Sequence, residues 1–490
     1  MDTPVAAPAT PPAVMTPPTA ARPLAQVPGP RGWPLLGNLP QIDPARMHTQ
    51  LERWVDEFGP VYRVQLGPRS ALVVAQSELI ATLLRDRPDG WRRMKAMQTV
   101  IAEMGAHGVF SAEGDDWRSQ RRLVMKAFDP GHLKRYFPSL VRVTERLREC
   151  LDAAARSGEA VDLQTLLMRY TVDVTAGLAF GIDMNTQQHP DNALRGHLEQ
   201  VFPMLMKRIF APFPWWRHVR LPSDRAFERH LAQVHQAIGG FIAAARERIQ
   251  RNPQLAEQPT NLLEALIVAS DEEGSCLSEE ALVGNVLTVL LAGEDTTANT
   301  LGWTLHLLHT HRAEWDALVA HVDTALGDNK LPSDFDVARA FEPIEHCVNE
   351  AMRLYPVAPM ALYECNRDTT LGDVALSRGS TVMCLTRPGA VNTSLASDAG
   401  TFRPQRWGDA AADEAARSLL KASMPFGAGP RLCPGRYLAM LEMKMVLATI
   451  ARNFEIVNVS TGDGSPPEER LAFTMFPVGL KIRVAARSTR

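Results

Sequence analysis

Cysteine is sparse. The 490 residues hold six (Cys150, Cys276, Cys347, Cys365, Cys384 and Cys433), scattered and without a C-x-x-C pair. That excludes a disulfide scaffold and suits a reducing compartment with mostly buried free thiols. Long hydrophobic runs are missing as well. A spanning helix needs about 20 consecutive apolar residues. The most apolar stretch, Leu282 to Ala292, is far shorter and is interrupted by Gly284 and Asn285. The N-terminus has no signal-peptide pattern, because Asp2 is its only charge before Arg22 and prolines break each apolar run. We therefore expect a cytoplasmic protein without an integral membrane anchor. An excess of one charge sign is also lacking: Lys plus Arg number 52 and Asp plus Glu 55, a formal net charge of −3. That balance argues against a chain that binds nucleic acid over its whole surface. With no glycine period and no sustained heptads, collagen-like and coiled-coil chains are excluded too.

What is present reads as a globular protein, 45% hydrophobic and 22% charged. Residues 1–27 are rich in Pro, Ala and Thr with almost no charge, too little to offset ordering entropy, and are expected to be a disordered tail. Pro28-Gly29-Pro30-Arg31-Gly32-Trp33-Pro34 opens the folded part. Length alone would allow about three domains. No later linker separates domains and no repeat occurs, so residues 28–490 are expected to form one large domain.

The pattern is mainly α with a minor β part. Trp117, Arg121, Val124 and Phe128 lie on one stripe at helical spacing. Ser278 can cap a helix with Glu279 and Glu280 in its first turn, running to about His311. Further helices are expected over Pro343 to Leu354 and Pro434 to about Asn453. Strand signals lie at Val61–Val64, Ala71–Val74, Thr381–Met383 and Leu480–Val484.

The central helix breaks a local rule at Ala292-Gly293-Glu294-Asp295-Thr296-Thr297. Glycine there costs about 1 kcal/mol relative to alanine, and a buried acid needs a partner. Thr296 can return its hydroxyl to the carbonyl of Ala292 and loosen the helix. Small residues beside an acid and a hydroxyl would form a groove with a proton relay. Glu350 and Arg353, three apart on a helix, can form an ion pair that Arg406 extends. The decisive segment is Phe426-Gly427-Ala428-Gly429-Pro430-Arg431-Leu432-Cys433-Pro434-Gly435. Its glycines allow a tight loop, and the helix N-terminus that follows favours a charged sulfur at Cys433.

These segments together resemble the cytochrome P450 family of haem-thiolate monooxygenases. The pattern F-x-x-G-x-R-x-C-x-G is matched by Phe426, Gly429, Arg431, Cys433 and Gly435, and A/G-G-x-D-T-T by Ala292 to Thr297. E-x-x-R is matched by Glu350 and Arg353, F-x-P-x-R-[FW] by Phe402 to Trp407, and W-x-x-x-R by Trp117 and Arg121. The resemblance implies the P450 fold and a haem b cofactor (iron protoporphyrin IX), with Cys433 as its axial thiolate. It implies Trp117, Arg121 and Arg431 at the haem propionates, Phe426 against the haem face, and Ala292 and Gly435 lining the cofactor. Asp295 and Thr296 would deliver protons during oxygen activation. Glu350, Arg353 and Arg406 would hold the loop that carries Cys433. At one place the pattern fails: Tyr363 stands where many members carry a propionate-binding arginine. The resemblance then implies a weaker contact there, or one through the tyrosine hydroxyl.

The expected activity is insertion of one oxygen of O2 into an apolar lipid, steroid or terpenoid-like molecule. The sequence ends at Arg490, too soon after Cys433 for a fused reductase, so electrons are expected from a ferredoxin or flavodoxin with its reductase. Arg118, Arg122, Lys126, Arg436 and Lys444 are candidates for a docking patch. A peroxygenase or isomerase, or a haem sensor, would dispense with Asp295 and Thr296. Met94, Met97, Met104, Phe202, Met204, Met206, Phe210, Phe213, Trp215 and Trp216 are expected mainly in the core, with part lining an apolar substrate entrance.

Overall fold

The structure, a computed structural model, describes residues 21–487 except 129, 190–192, 210, 212, 272–276, 410 and 412. Cys276, Phe210 and residues 1–20 of the expected tail thus lie outside the described residues. Regular structure begins ahead of residue 28. Arg22–Pro23 pairs in parallel with Val374–Leu376, and Arg22 Nε lies 2.9 Å from Asp373 Oδ2. Composition could not foresee this pairing, because both partners come from a distant part of the chain.

The central helix runs from Glu279 to Thr310, and Ser278 caps it by accepting a hydrogen bond from the Ala281 N–H at 3.1 Å. Apolar residues surround it almost completely, so it lies in the core rather than on the surface. The two residues that interrupt its apolar run have packing roles. A Cβ on Gly284 would stand 2.5 Å from the carbonyl carbon of His107, so only glycine permits that approach. Asn285 is fully buried. It accepts from the Val109 N–H at 2.9 Å and donates to Gln120 Oε1 at 2.9 Å, on the helix Gly114–Ala127. The interruption therefore docks that helix and its preceding loop onto the central helix.

Gly293 corrects the groove reading in part. A Cβ there would lie 2.3 Å from Thr175 Oγ1 on the helix Leu163–Phe180. This glycine lets two helices pack closely instead of opening a space.

All four expected strands are present. Val61–Leu66, Arg69–Val74 and Thr381–Leu385 form a five-stranded sheet with Met360–Cys365 and Trp91–Arg93. Lys481–Ala486 pairs antiparallel with Phe454–Ser460. Trp91–Arg93 carried no strand signal because two of its three residues are arginines. Tertiary contacts compensate: Arg92 sits opposite Glu364 in the register and bonds it at 3.0 Å. Helices Glu342–Leu354 and Arg436–Asn453 match expectation closely. No helix among the described residues is long and apolar enough to cross a membrane.

Candidate active site

The loop Phe426–Gly435 is shaped by close backbone contacts. Gly429 has φ +70°, and a Cβ there would meet the Leu84 carbonyl oxygen at 2.4 Å, so conformation and space both demand glycine. The Cys433 N–H donates to the Phe426 carbonyl at 3.0 Å and closes the loop. Phe426 itself packs half-buried against the main core. The helix Arg436–Asn453 starts directly beyond Gly435.

Cys433 is exposed on one side while protein crowds its other sides. That burial pushes the thiol pKa up. The Gly435 N–H, the charges of Arg121 and Arg436 and the Arg436 N–H pull it back without cancelling the rise. The expected thiolate-favouring donors are thus in place, and a coordinating metal cation would favour the thiolate further.

Trp117, buried, and Arg121, half-buried, project from the helix Gly114–Ala127 toward this loop. Arg121 Nη2 donates to the Leu432 carbonyl at 2.5 Å. The Arg431 guanidinium lies 4.7 Å from the Trp117 ring centroid, and its Nη2 reaches Glu113 Oε2 at 2.6 Å and the Ala112 carbonyl. Its Nε and Nη1 are buried without a hydrogen-bond partner. A thiolate-forming cysteine beside buried guanidinium donors in need of an anion fits a flat anionic metal cofactor such as haem b.

On the central helix, Thr296 Oγ1 donates to the Ala292 carbonyl at 3.0 Å, the bond expected from the sequence. Thr300 and Thr304 repeat it one and two turns on, at 2.8 and 2.7 Å. Ala292 is exposed although Leu290 and Glu294 beside it are buried; Asp295 and Thr296 are half-buried. Seven residues, two turns, separate Ala292 from Asn285, so Ala292 faces the same side about 10 Å further along the axis. The structure thus brings Trp117, Arg121, Phe426, Arg431, Cys433 and Gly435 together. Ala292, Asp295 and Thr296 lie two to three turns along the central helix from Asn285, which bonds the helix carrying Trp117 and Arg121.

A buried ion network ties the helix Glu342–Leu354 to the segment 390–407. Arg353 clasps Glu350 in a bidentate pair at 2.7 and 2.8 Å and donates to the carbonyls of Ala390, Ala399 and Thr401. Arg406 joins Glu350 at 3.2 Å, and all three side chains are 0% exposed. Asp398 and Trp407 complete it, through Arg406 at 3.1 Å and Glu350 at 3.0 Å. Sequence reasoning missed Asp398, since a lone aspartate in a loop carries no spacing signal. Glu113, Arg87 and Arg93 near Arg431 were missed for the same reason.

The docking patch needs correction at Lys444. Its ammonium bonds Glu345 at 2.6 Å and the Arg339 carbonyl at 2.7 Å, with the side chain 5% exposed, so it is spent on internal contacts. Arg118 is paired with Asp89 and Asp115, whereas Arg122 is exposed; the Lys126 side chain lies outside the description. Among the apolar residues named for a core or entrance role, Met104 and Trp216 are buried and Met94, Met97, Met204, Met206 and Trp215 are partly buried. Phe213 is 63% exposed, and the Phe202 side chain lies outside the description.

The model of the cytochrome P450 family matches residues 27–484. The chain is 25% identical over 447 residues to the protein LUTEIN DEFICIENT 5, chloroplastic, of Arabidopsis thaliana, covering 88% of this chain and 73% of that one. It is 26% identical over 430 residues to the carotene epsilon-monooxygenase, chloroplastic, of the same plant, covering 83% and 76%. It is 26% identical over 474 residues to the bifunctional cytochrome P450/NADPH–P450 reductase 2 of Bacillus subtilis (strain 168), covering 94% of this chain and 43% of that protein. With so much of its length matched, and with Cys433 in its loop, the chain belongs to the cytochrome P450 family and is a haem b-dependent monooxygenase.

Proposed function

We propose that this P450 inserts one oxygen atom of O2 into an apolar lipid, steroid or terpenoid-like molecule, with electrons from a separate ferredoxin or flavodoxin and its reductase. The haem, when bound, supplies the oxygen activation, and the chain's own residues hold the substrate and move the protons.

The observation that carries the substrate class is an aromatic pair beside the Thr296 turn. Phe110 and Phe473 lie 5.9 Å apart. Thr474, next to Phe473, accepts from Asn299 on the central helix at 3.1 Å, one turn beyond Thr296. An apolar wall close to a half-buried acid and hydroxyl suits a hydrocarbon-rich substrate. The relative named for carotene lends support to the terpenoid arm. Exposed Arg122, on the helix that contacts the cysteine loop, is a docking residue for an acidic donor. The buried free thiols Cys347, Cys365 and Cys384 accord with a cytoplasmic setting.

The test is a binding-spectrum screen of fatty acids, steroids and terpenoids, followed by product identification with a ferredoxin or flavodoxin donor. An oxygenated terpenoid, steroid or fatty acid is the expected product. Tight binding of polar ligands alone would overturn the substrate class.

Thr296 and Asp295 are proposed as the proton relay. With its hydrogen on Ala292, the Thr296 oxygen keeps lone pairs that can accept from water. Thr296→Ala should still consume reductant but divert it to hydrogen peroxide or water. Product formed per reductant consumed is expected to fall steeply, since such relays are worth roughly 10²–10⁴-fold. An unchanged ratio would place the relay elsewhere.

A further inference from the structure

Three guanidinium groups converge beside the cysteine loop from separate parts of the chain. Arg431 precedes Cys433 by two residues, Arg93 ends a strand of the five-stranded sheet, and Arg87 lies in the turn just before that strand. Glu113 is the carboxylate they share. Its Oε2 lies 2.6 Å from Arg431, its Oε1 3.8 Å from Arg87, and Oε1 also accepts from the Arg93 backbone N–H at 3.0 Å, while the Arg93 guanidinium donates to the Phe110 carbonyl at 2.7 Å. Among the described residues no second carboxylate pairs with any of these arginines. Three cations against one anion leave two positive charges unmatched.

Two of the three cations are nevertheless buried away from water. Arg87 is 3% exposed, and the Arg431 side chain 4%. Arg87 Nε and Nη2 are buried with no hydrogen-bond partner, as are Arg431 Nε and Nη1. Burial lowers the pKa of Arg431 to about 9 and of Arg93 to about 10, with repulsion from Arg87 adding to both. Unmatched buried cations are costly unless an anion completes the set.

The aromatic ring beside Arg87 indicates its role. Its guanidinium carbon lies 4.6 Å from the centroid of the buried Tyr363 ring, a cation–π platform. Tyr363 is the position at which the expected propionate-binding arginine is missing. We infer that Arg87 binds a haem propionate from the neighbouring turn, replacing the cation lost at position 363, with the Tyr363 ring as its support. This rests on the P450 reading. The two carboxylates of a haem would match the two unmatched charges.

Transfer of haem from the holoenzyme to excess apomyoglobin tests the inference. Arg87→Gln should speed haem loss on the order of 10-fold, the usual weight of a charge-assisted hydrogen bond. Tyr363→Phe keeps the ring and should stay near wild type. Adding Tyr363→Arg to Arg87→Gln should bring the rate back toward wild type, which a merely structural Arg87 would not allow. Unchanged loss from Arg87→Gln, or a double variant as leaky as the single one, overturns the inference. If Arg87→Gln gives no folded holoprotein, the double variant decides: near wild-type retention supports the inference, and rapid loss or failure to fold overturns it. The thiolate-type spectrum of the reduced carbon monoxide complex is recorded alongside. Its absence from wild type would overturn the P450 reading instead.

Discussion

Cys433→Ser is expected to abolish the thiolate-type absorption band of the reduced carbon monoxide complex, and with it the monooxygenase activity. The substitution is nearly isosteric and leaves the loop intact, because the Cys433 backbone N–H, not its side chain, bonds Phe426. What it removes is the sulfur. The Gly435 and Arg436 amides and the Arg121 charge offset part of the desolvation that disfavours a thiolate. A serine hydroxyl ionises far less readily than a thiol and is a harder, weaker donor for iron, so these aids do not suffice for it. The measurement is the difference spectrum of dithionite-reduced protein with and without carbon monoxide. Persistence of the thiolate band in Cys433→Ser would remove Cys433 from the iron and undo the central assignment.

Glu350→Gln should be the most destabilising change away from the cofactor. Its two oxygens accept five bonds: two from Arg353, and one each from Arg406 Nε, the Arg403 N–H and Trp407 Nε1. Glutamine keeps one acceptor oxygen and turns an amide NH2 toward donors, and it leaves buried Arg353 without a carboxylate while Arg406 keeps only Asp398. Breaking a buried pair on one side costs about 3–5 kcal/mol. The effect should be read as a lowered thermal inactivation temperature and a smaller fraction of protein showing the thiolate band. Asp398→Asn is the control. The Asp398 side chain is 33% exposed, so water can take over part of its role and the loss should be smaller. Equal losses for the two variants would show that Glu350 does not anchor the segment leading to the cysteine loop. Arg353→Lys should behave like Glu350→Gln, because an ammonium cannot reproduce the fork that reaches Glu350 and three carbonyls at once.

Much of the framework was legible in the sequence because its signals are local. Ser278 ahead of two glutamates marks a helix start that the backbone geometry requires wherever the helix packs. The Thr296 hydroxyl finds the Ala292 carbonyl because a helix brings those atoms together regardless of surroundings. The i, i+3 pair of Glu350 and Arg353 is likewise set by helical spacing. The cysteine loop packs its glycines, arginine and thiol into ten consecutive residues, so its chemistry can be read without knowing what lies opposite.

Other features required the tertiary structure, since they depend on which distant side chains meet. Gly293 looked like part of an open groove, but Thr175 occupies the space where its Cβ would be. Lys444 looked like a surface cation, but Glu345 and the Arg339 carbonyl bury its charge. The strand Trp91–Arg93 exists because Glu364 lies across from Arg92. Arg87 had no motif at all, and only folding sets it over Tyr363 and beside Glu113 and Arg431. Helical periodicity and loop chemistry act over a few residues and are written in the chain. Close packing and buried charge act between segments far apart in sequence, so only the folded arrangement determines their sign and size.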